Sequence, residues 1–283
     1  MPELPEVETV ARGIAPFLNG QRIAGVKLHR QTLRVPLPEH FAERLEGRKI
    51  TMVSRRAKYV LIHLNGEELL VIHLGMSGRL LIHPKNTDIP KEKHDHVLIT
   101  LDNGTVMRFN DPRRFGLMAL VPERTMAKHV LFQHLGPEPL AKNFTGAALK
   151  QSLTRRSVNI KTALMNQEVV VGVGNIYASE SLHLAKISPL RAANTLKDRE
   201  YQALVEAIKI TLKSAIESGG STLRDFVRSS GEAGYFQHHF SVYGRAGLPC
   251  LCPAHPDTMK LTPLIVKIVQ QGRSTFYCTS CQK

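Results

Sequence analysis

No apolar run in this chain of 283 residues approaches the roughly 20 residues a helix needs to cross a bilayer; runs such as Leu69–Leu74 are far shorter. The opening Met1-Pro2-Glu3-Leu4-Pro5-Glu6 lacks the basic-then-apolar pattern of a secretory signal. These absences lead to the expectation of a cytoplasmic protein with no membrane partner. Cysteine is scarce too: there are four, all between Cys250 and Cys281, and in a reducing compartment such a cluster reads as metal ligands rather than disulfides. Acidic residues are in deficit, 24 against 38 basic, which leaves a net charge of +14 and a pI near 9.8. The excess runs through both halves and favours a polyanionic partner, because net charge steers association rather than folding. Internal repeats and low-complexity tracts are missing, while 42% hydrophobic and 22% charged residues are enough for packed cores and exclude a disordered chain.

The length suits two domains. Val7, Val10, Ala11, Ile14 and Leu18 recur at helical spacing between Pro5 and Gly20, which predicts a first helix of about four turns. From Ile50 to Leu120 short runs of Val, Ile and Leu alternate with the turn sequences Asn65-Gly66 and Asp102-Asn103-Gly104, the mark of antiparallel hairpins in a sandwich or barrel. Two prolines in Leu135-Gly136-Pro137-Glu138-Pro139-Leu140 block regular structure and mark a linker. Beyond it, Leu204, Ile208, Leu212 and Ile216 line one helix face that Gly219-Gly220 ends; segments 144–165 and 175–186 also read as helices, and the tail from Gly244 reads as loop-like. The expected organisation is α+β: an N-terminal β-sandwich over 1–134, a linker over 135–140, a helical domain over 141–240 and a cysteine-bearing tail over 241–283.

Six stretches occur in one order over nearly the whole chain: PELPEVETVARGI, RRAKY, HLGMSGRL, NDPRRFG, GVGNIYASE and GRSTFYC-x-x-C-QK. Together they resemble the formamidopyrimidine-DNA glycosylase family. The resemblance implies a leading helix on a β-sandwich, a helix-two-turn-helix domain, a C-terminal zinc finger, and double-stranded DNA containing oxidised bases as the partner, bound in the cleft between domains. It also implies a bifunctional glycosylase and abasic-site lyase of base excision repair, acting on oxidised purines such as 8-oxoguanine and formamidopyrimidines. A monomer is expected, since one chain carries a complete site.

The family chemistry falls on Pro2. Once Met1 is removed, Pro2 is a secondary amine; α-amino groups titrate near ~7.7–8.0 against ~10.4 for lysine, and a helix N-terminus behind it further favours the neutral form. Attack on the sugar C1′ expels the base, and the cationic iminium that results promotes β- then δ-elimination. Glu3 matches the family's acid and base, with Glu6 in support, and Lys58 and Arg273 complete the catalytic set. His94 and Asn175 match phosphate contacts, Asn175 following a glycine turn suited to anions. Taken alone, Lys58 would be a solvated strand residue and His94 a surface histidine. Met76, Arg113 and Phe115 match the side chains that fill the gap left by an extruded nucleotide; glycine and proline around them argue for exposed turns rather than core. The stretch Gly219–Tyr243, with Ser221-Thr222-Leu223-Arg224, resembles a loop over the extruded base.

The resemblance implies one structural zinc held by four ligands. Cys278-Thr279-Ser280-Cys281 supplies one pair at the usual spacing, whereas Cys250-Leu251-Cys252 departs from the family's second C-x-x-C, and His255 at the end of Cys252-Pro253-Ala254-His255 offers an alternative partner. Two other functions compete: an endonuclease-eight-type glycosylase for oxidised pyrimidines, disfavoured by Leu4 and by Met76, Arg113 and Phe115 together, and a non-catalytic lesion- or abasic-site-binding protein, from which Pro2, Glu3 and Lys58 separate an enzyme.

Overall fold

The structure, a computed structural model, describes residues 1–85, 87, 92–221, 235–253 and 263–283. It divides into two compact units, Met1–Gln133 with Ser218–Gln237, and His134–Glu217 with His238–Lys283. Of the residues given to the helical domain by the linear reading, 218–221 and 235–237 group with the first unit in this division.

The first unit opens with α1 (Leu4–Leu18), which buries Val7, Val10, Ala11, Ile14 and Leu18, the positions its periodicity singled out. It is followed by β1 (Ile23–Leu28), a one-turn α2 (Phe41–Leu45), and seven strands: β2 (Ile50–Arg56), β3 (Tyr59–Leu64), β4 (Glu68–His73), β5 (Arg79–His83), β6 (Asp95–Leu101), β7 (Val106–Asn110) and β8 (Leu117–Pro122). These form two four-stranded sheets, in the orders β1-β6-β7-β5 and β2-β3-β4-β8, antiparallel throughout. Alternate residues such as Val60, Ile62 and Leu64 on β3 and Val97, Ile99 and Leu101 on β6 enter one shared core with the α1 residues, as the period-2 pleat requires of two facing sheets. Gly66 and Gly104, at φ 87° and 84°, make the two hairpin turns read from the sequence.

The second unit contains α3 (Gly146–Leu153), α4 (Ile160–Met165), α5 (Asn175–Leu184) and α6 (Asp198–Glu217), then the hairpin of β9 (Ile265–Gln270) and β10 (Arg273–Cys278). Segment 144–165 is two short helices rather than one. Thr154 Oγ1 donates back to the Lys150 carbonyl, and Asn159 Oδ1 accepts the Thr162 N–H at 2.9 Å and so caps a new start. Apolar spacing in that segment continues across the break, which is why periodicity alone joined the two. α6 packs on α3 and α5 and gives way to Gly219 and Gly220, both at positive φ. The tail is less loop-like than expected: Gln271 and Gly272 both have positive φ, and a two-residue turn of this kind closes β9 onto β10. Among the described residues no helix is long and apolar enough to cross a membrane.

Candidate active site

In the first unit the start of α1 is held from two directions. Pro2, Glu3 and Glu6 are all buried, whereas Met1 is 56% exposed. Glu6 Oε2 accepts the Glu3 backbone N–H at 2.8 Å, satisfying one of the orphan donors of a helix N-terminus. Its other oxygen accepts both the N–H and the hydroxyl of Ser221, at 2.8 and 3.0 Å. Glu6 therefore anchors the Pro2-Glu3 end to the segment following Gly220, a firmer role than the supporting one read from sequence. Thr222, Leu223, Arg224 and His255 lie outside the described residues.

Lys58 sits in the turn between β2 and β3 and is only 7% exposed, not a solvated strand residue. The turn is kept by a chain of contacts from α1: Arg55 Nε donates to Glu8 Oε2 at 2.8 Å while Arg55 Nη1 donates to the Ala57 carbonyl at 2.9 Å. Ala57 itself is at φ 53°, a left-handed conformation that costs a non-glycine residue about 1 kcal/mol or more and persists only where its surroundings demand it. Burial alone would raise the Glu8 carboxyl; hydrogen bonds from Arg55 and Arg12 outweigh it and hold its pKa below the ordinary value. A neighbour of the lysine is affected too. Burial, then the charges of Lys58 and Arg34, push His73 down to about 4, so its ring is neutral at neutral pH, and Nδ1 accepts the Gly75 N–H at 3.0 Å.

The gap-filling candidates occupy two turns that touch. Gly75, at φ 64°, presses so closely on the Phe115–Gly116 peptide that a Cβ would lie 2.5 Å from the Gly116 nitrogen. A buried carboxylate joins the same turns: Asp111 Oδ1 accepts from Ser77 Oγ at 2.5 Å, Oδ2 from the Gly116 N–H at 2.8 Å, and Ser77 Oγ in turn accepts the Arg113 N–H at 3.1 Å. The result displays Phe115, 45% exposed, with the Arg113 guanidinium 5.0 Å from its ring centroid, a cation–π pair. Met76 is half-buried rather than fully displayed, because its turn is packed against the neighbouring one. His94 is half-buried, and its carbonyl accepts the Asp111 N–H at 3.0 Å.

In the second unit Gly172 has φ 79°, and Gln167 braces the glycine turn, accepting from the Gly172 N–H at 2.8 Å and donating to the Val173 carbonyl at 3.1 Å. Asn175 opens α5, and its side-chain amide donates to the Ser274 carbonyl at 2.9 Å. Lys161, which sequence reasoning missed, is 1% exposed; its Nζ donates to Asn175 Oδ1 at 2.5 Å, to Thr275 Oγ1 at 2.7 Å and to the Ser274 carbonyl at 3.0 Å. The ammonium thereby ties Asn175 to the strand that begins with Arg273, itself exposed. The cysteines gather beside them: Cys250 and Cys281 Sγ are 3.9 Å apart, and the Cys278 thiol hydrogen-bonds both. Cys252 is buried, with its N–H donating to Cys250 Sγ at 3.4 Å.

In the first unit a displayed arginine–phenylalanine pair stands with a helix that begins at a buried Pro-Glu pair, and in the second a braced glycine turn at a helix N-terminus suits phosphate; both suit the class of enzymes that take a base out of the DNA stack. Comparison narrows the class. The model of the formamidopyrimidine-DNA glycosylase N-terminal domain matches residues 1–118, and that of the formamidopyrimidine-DNA glycosylase H2TH domain matches residues 135–227. The formamidopyrimidine-DNA glycosylases of Dinoroseobacter shibae and Azorhizobium caulinodans are each 47% identical to the chain, over 290 and 299 residues, with 100% of both chains covered. Among solved structures, the chain is similar at 32% identity and a TM-score of 0.87 to a Lactococcus lactis Fpg variant in complex with Fapy-dG containing DNA, covering 100% of each chain, and equally to Lactococcus lactis Fpg with an abasic site containing DNA, covering 99% of each. The chain belongs to the formamidopyrimidine-DNA glycosylase family.

Proposed function

We propose that this protein removes oxidised purines from double-stranded DNA through Pro2 and then cleaves the strand. It is a DNA glycosylase of base excision repair, and the burial of Pro2 and Glu3 at the head of α1, locked by Glu6, is the observation that carries the assignment of the chemistry. With Met1 removed, the Pro2 nitrogen attacks C1′ of an extruded deoxyribose, the C1′–base bond breaks, and the base leaves with a proton. Opening of the sugar ring, with Glu3 protonating the ring oxygen, yields an iminium whose positive nitrogen draws electrons from C2′. A base then takes the C2′ proton and the 3′ phosphate departs by β-elimination; loss of the C4′ proton expels the 5′ phosphate by δ-elimination, and water hydrolyses the iminium to release the sugar fragment and regenerate the Pro2 amine. Lys58 supplies positive charge toward the phosphate beside the lesion. Arg113, Phe115 and Met76 fill the vacated stack, at a cost of a few kcal/mol for unstacking, and His94, Asn175 and Arg273 hold backbone phosphates. The Lactococcus lactis relative has also been solved with an oxidized pyrimidine containing DNA, so pyrimidine lesions are a secondary substrate class.

The cysteine cluster fits a structural zinc. Among the described residues, Cys250, Cys252 and Cys278 are buried together with Val242, Ile265 and Phe276 in one small core, which places the thiols where a metal could cross-link it. A bound zinc would contribute folding free energy through a closed coordination shell and take no part in base removal. The protein acts as a monomer.

Borohydride reduction during incubation with an 8-oxoguanine:cytosine duplex tests the nucleophile. A covalent protein–DNA adduct is expected from processed protein, and none from Pro2→Gly or from protein retaining Met1. Processed protein that releases the base without a trappable adduct would remove Pro2 from the mechanism.

A further inference from the structure

One metal-ligating side chain near the cysteines comes from outside the finger. His183 lies in the last turn of α5, 7% exposed, with Nε2 3.3 Å from Cys250 Sγ. The ligand atoms of His183, Cys250 and Cys281 all lie within 4.8 Å of one another. A tetrahedral site with Zn–S near 2.3 Å and Zn–N near 2.0–2.1 Å requires S···S edges of about 3.8 Å and S···N edges of about 3.6 Å. The observed 3.9 Å between Cys250 and Cys281 and 3.3 Å between His183 and Cys250 lie close to both. Cys278 lies outside that set of three but interacts with both Cys250 and Cys281 and stands at the two-residue spacing from Cys281; Cys252 fits less well, because a single residue between it and Cys250 is shorter than the two to four that separate paired ligands in structural zinc sites. Its backbone N–H instead donates to Cys250 Sγ, a contact that supports a thiolate without a second sulfur.

We propose that His183 is the fourth zinc ligand, in a Cys3His site with Cys250, Cys278 and Cys281, and that Cys252 is a buried thiol outside the coordination shell. The inference rests on the zinc reading above and specifies its ligands. Its consequence is mechanical. Glu180, one turn earlier on α5, already accepts the backbone N–H groups of Ser241, Val242 and Tyr243 at 2.8, 3.0 and 2.7 Å. A metal bond from His183 adds a second clamp from the same helix to the finger. The helix that opens with Asn175 and the hairpin that presents Arg273 then become one rigid phosphate-holding piece, with the metal at one end and the Lys161 ammonium at the other.

Zinc K-edge X-ray absorption on the full-length, zinc-loaded protein tests this without a variant: the expected first shell is three sulfurs at about 2.3 Å and one nitrogen at about 2.0–2.1 Å. Cys252→Ser should keep that shell and one zinc per chain, and His255→Phe should keep the nitrogen. His183→Phe should lose the nitrogen and bind zinc more than about a hundredfold more weakly, a loss exceeding the roughly 10–100-fold of a residue that merely orients a ligand. Should His183→Phe fail to fold, the wild type, Cys252→Ser and His255→Phe decide the matter. Four sulfurs in the wild type, or a nitrogen that vanishes in His255→Phe or survives in a folded His183→Phe, would overturn the ligand assignment and leave zinc binding intact. Protein prepared with ample zinc that contains none would overturn both.

Discussion

Replacing Asp111 by alanine removes a side chain that joins both candidate gap-filling turns. Its carboxylate is 0% exposed and receives the Ser77 hydroxyl at 2.5 Å and the Gly116 N–H at 2.8 Å, while its main chain bonds separately to the His94 carbonyl and to His96 Nε2. Alanine leaves the main-chain bonds in place and deletes both acceptors. Hydrogen bonds to charged groups contribute about 1.5–3 kcal/mol each, so the expected loss is about 3–6 kcal/mol, or roughly 2–4 °C in Tm for each of those kcal/mol. Asp111→Asn retains one acceptor oxygen for Gly116 and should lose only about half as much. The chain has no tryptophan, so unfolding in urea is best followed by circular dichroism. Because Arg113 and Phe115 lie between the two bonded positions, the same variants should also lose affinity for lesion duplexes in the order Ala before Asn. An Asp111→Ala protein within about 0.5 kcal/mol of wild type, the range of an ordinary surface substitution, would refute the reasoning.

Gly75→Ala should be more disruptive than its single methyl suggests, by about 3 kcal/mol or more, since it combines positive φ with a clash against the Phe115–Gly116 peptide; urea denaturation of the two proteins side by side checks this. His73 titrates at about 4 in the folded protein against about 6.5 unfolded. Between those values the unfolded chain binds more protons, so the stability from the neutral ring is complete above pH 6.5 and is lost as pH falls toward 4. The loss is on the order of 3 kcal/mol, and His73→Gln should flatten the stability curve in that window. Arg273→Ala should weaken duplex binding and reduce the slope of log affinity against log salt by about one phosphate; an unchanged slope would remove Arg273 from the backbone contacts.

What could be read in the sequence depended on the range of the interaction. The α1 stripe, the strands and the turns at Gly66 and Gly104 are written in neighbouring residues, because helical and strand periods and positive-φ turns are local. Likewise the split between α3 and α4 was signalled by Asn159, a cap that local reading could have weighed above continuous apolar spacing. Lys161 and His183 carry no such signal. Each sits on a helix, where an isolated lysine or histidine reads as a solvated or satisfied side chain, and their partners lie 113–114 and 67 residues away. The same holds for Glu6, whose short-range bond to Glu3 is the ordinary business of a helix start, but whose bond to Ser221 spans 215 residues. Long separations between the members of a site make its assembly depend on the closure of the whole unit, since the entropy of bringing them together is offset only by the packing around them. The proposed nucleophile, Pro2 freed of Met1, is the extreme case: it would have chain on one side only, and α1 would supply both its position and its field. That is why the acidic residues of the first eight positions are divided among separate tasks, Glu3 beside the amine, Glu6 bonded to Glu3 and Ser221, and Glu8 reaching through Arg55 to the turn that carries Lys58.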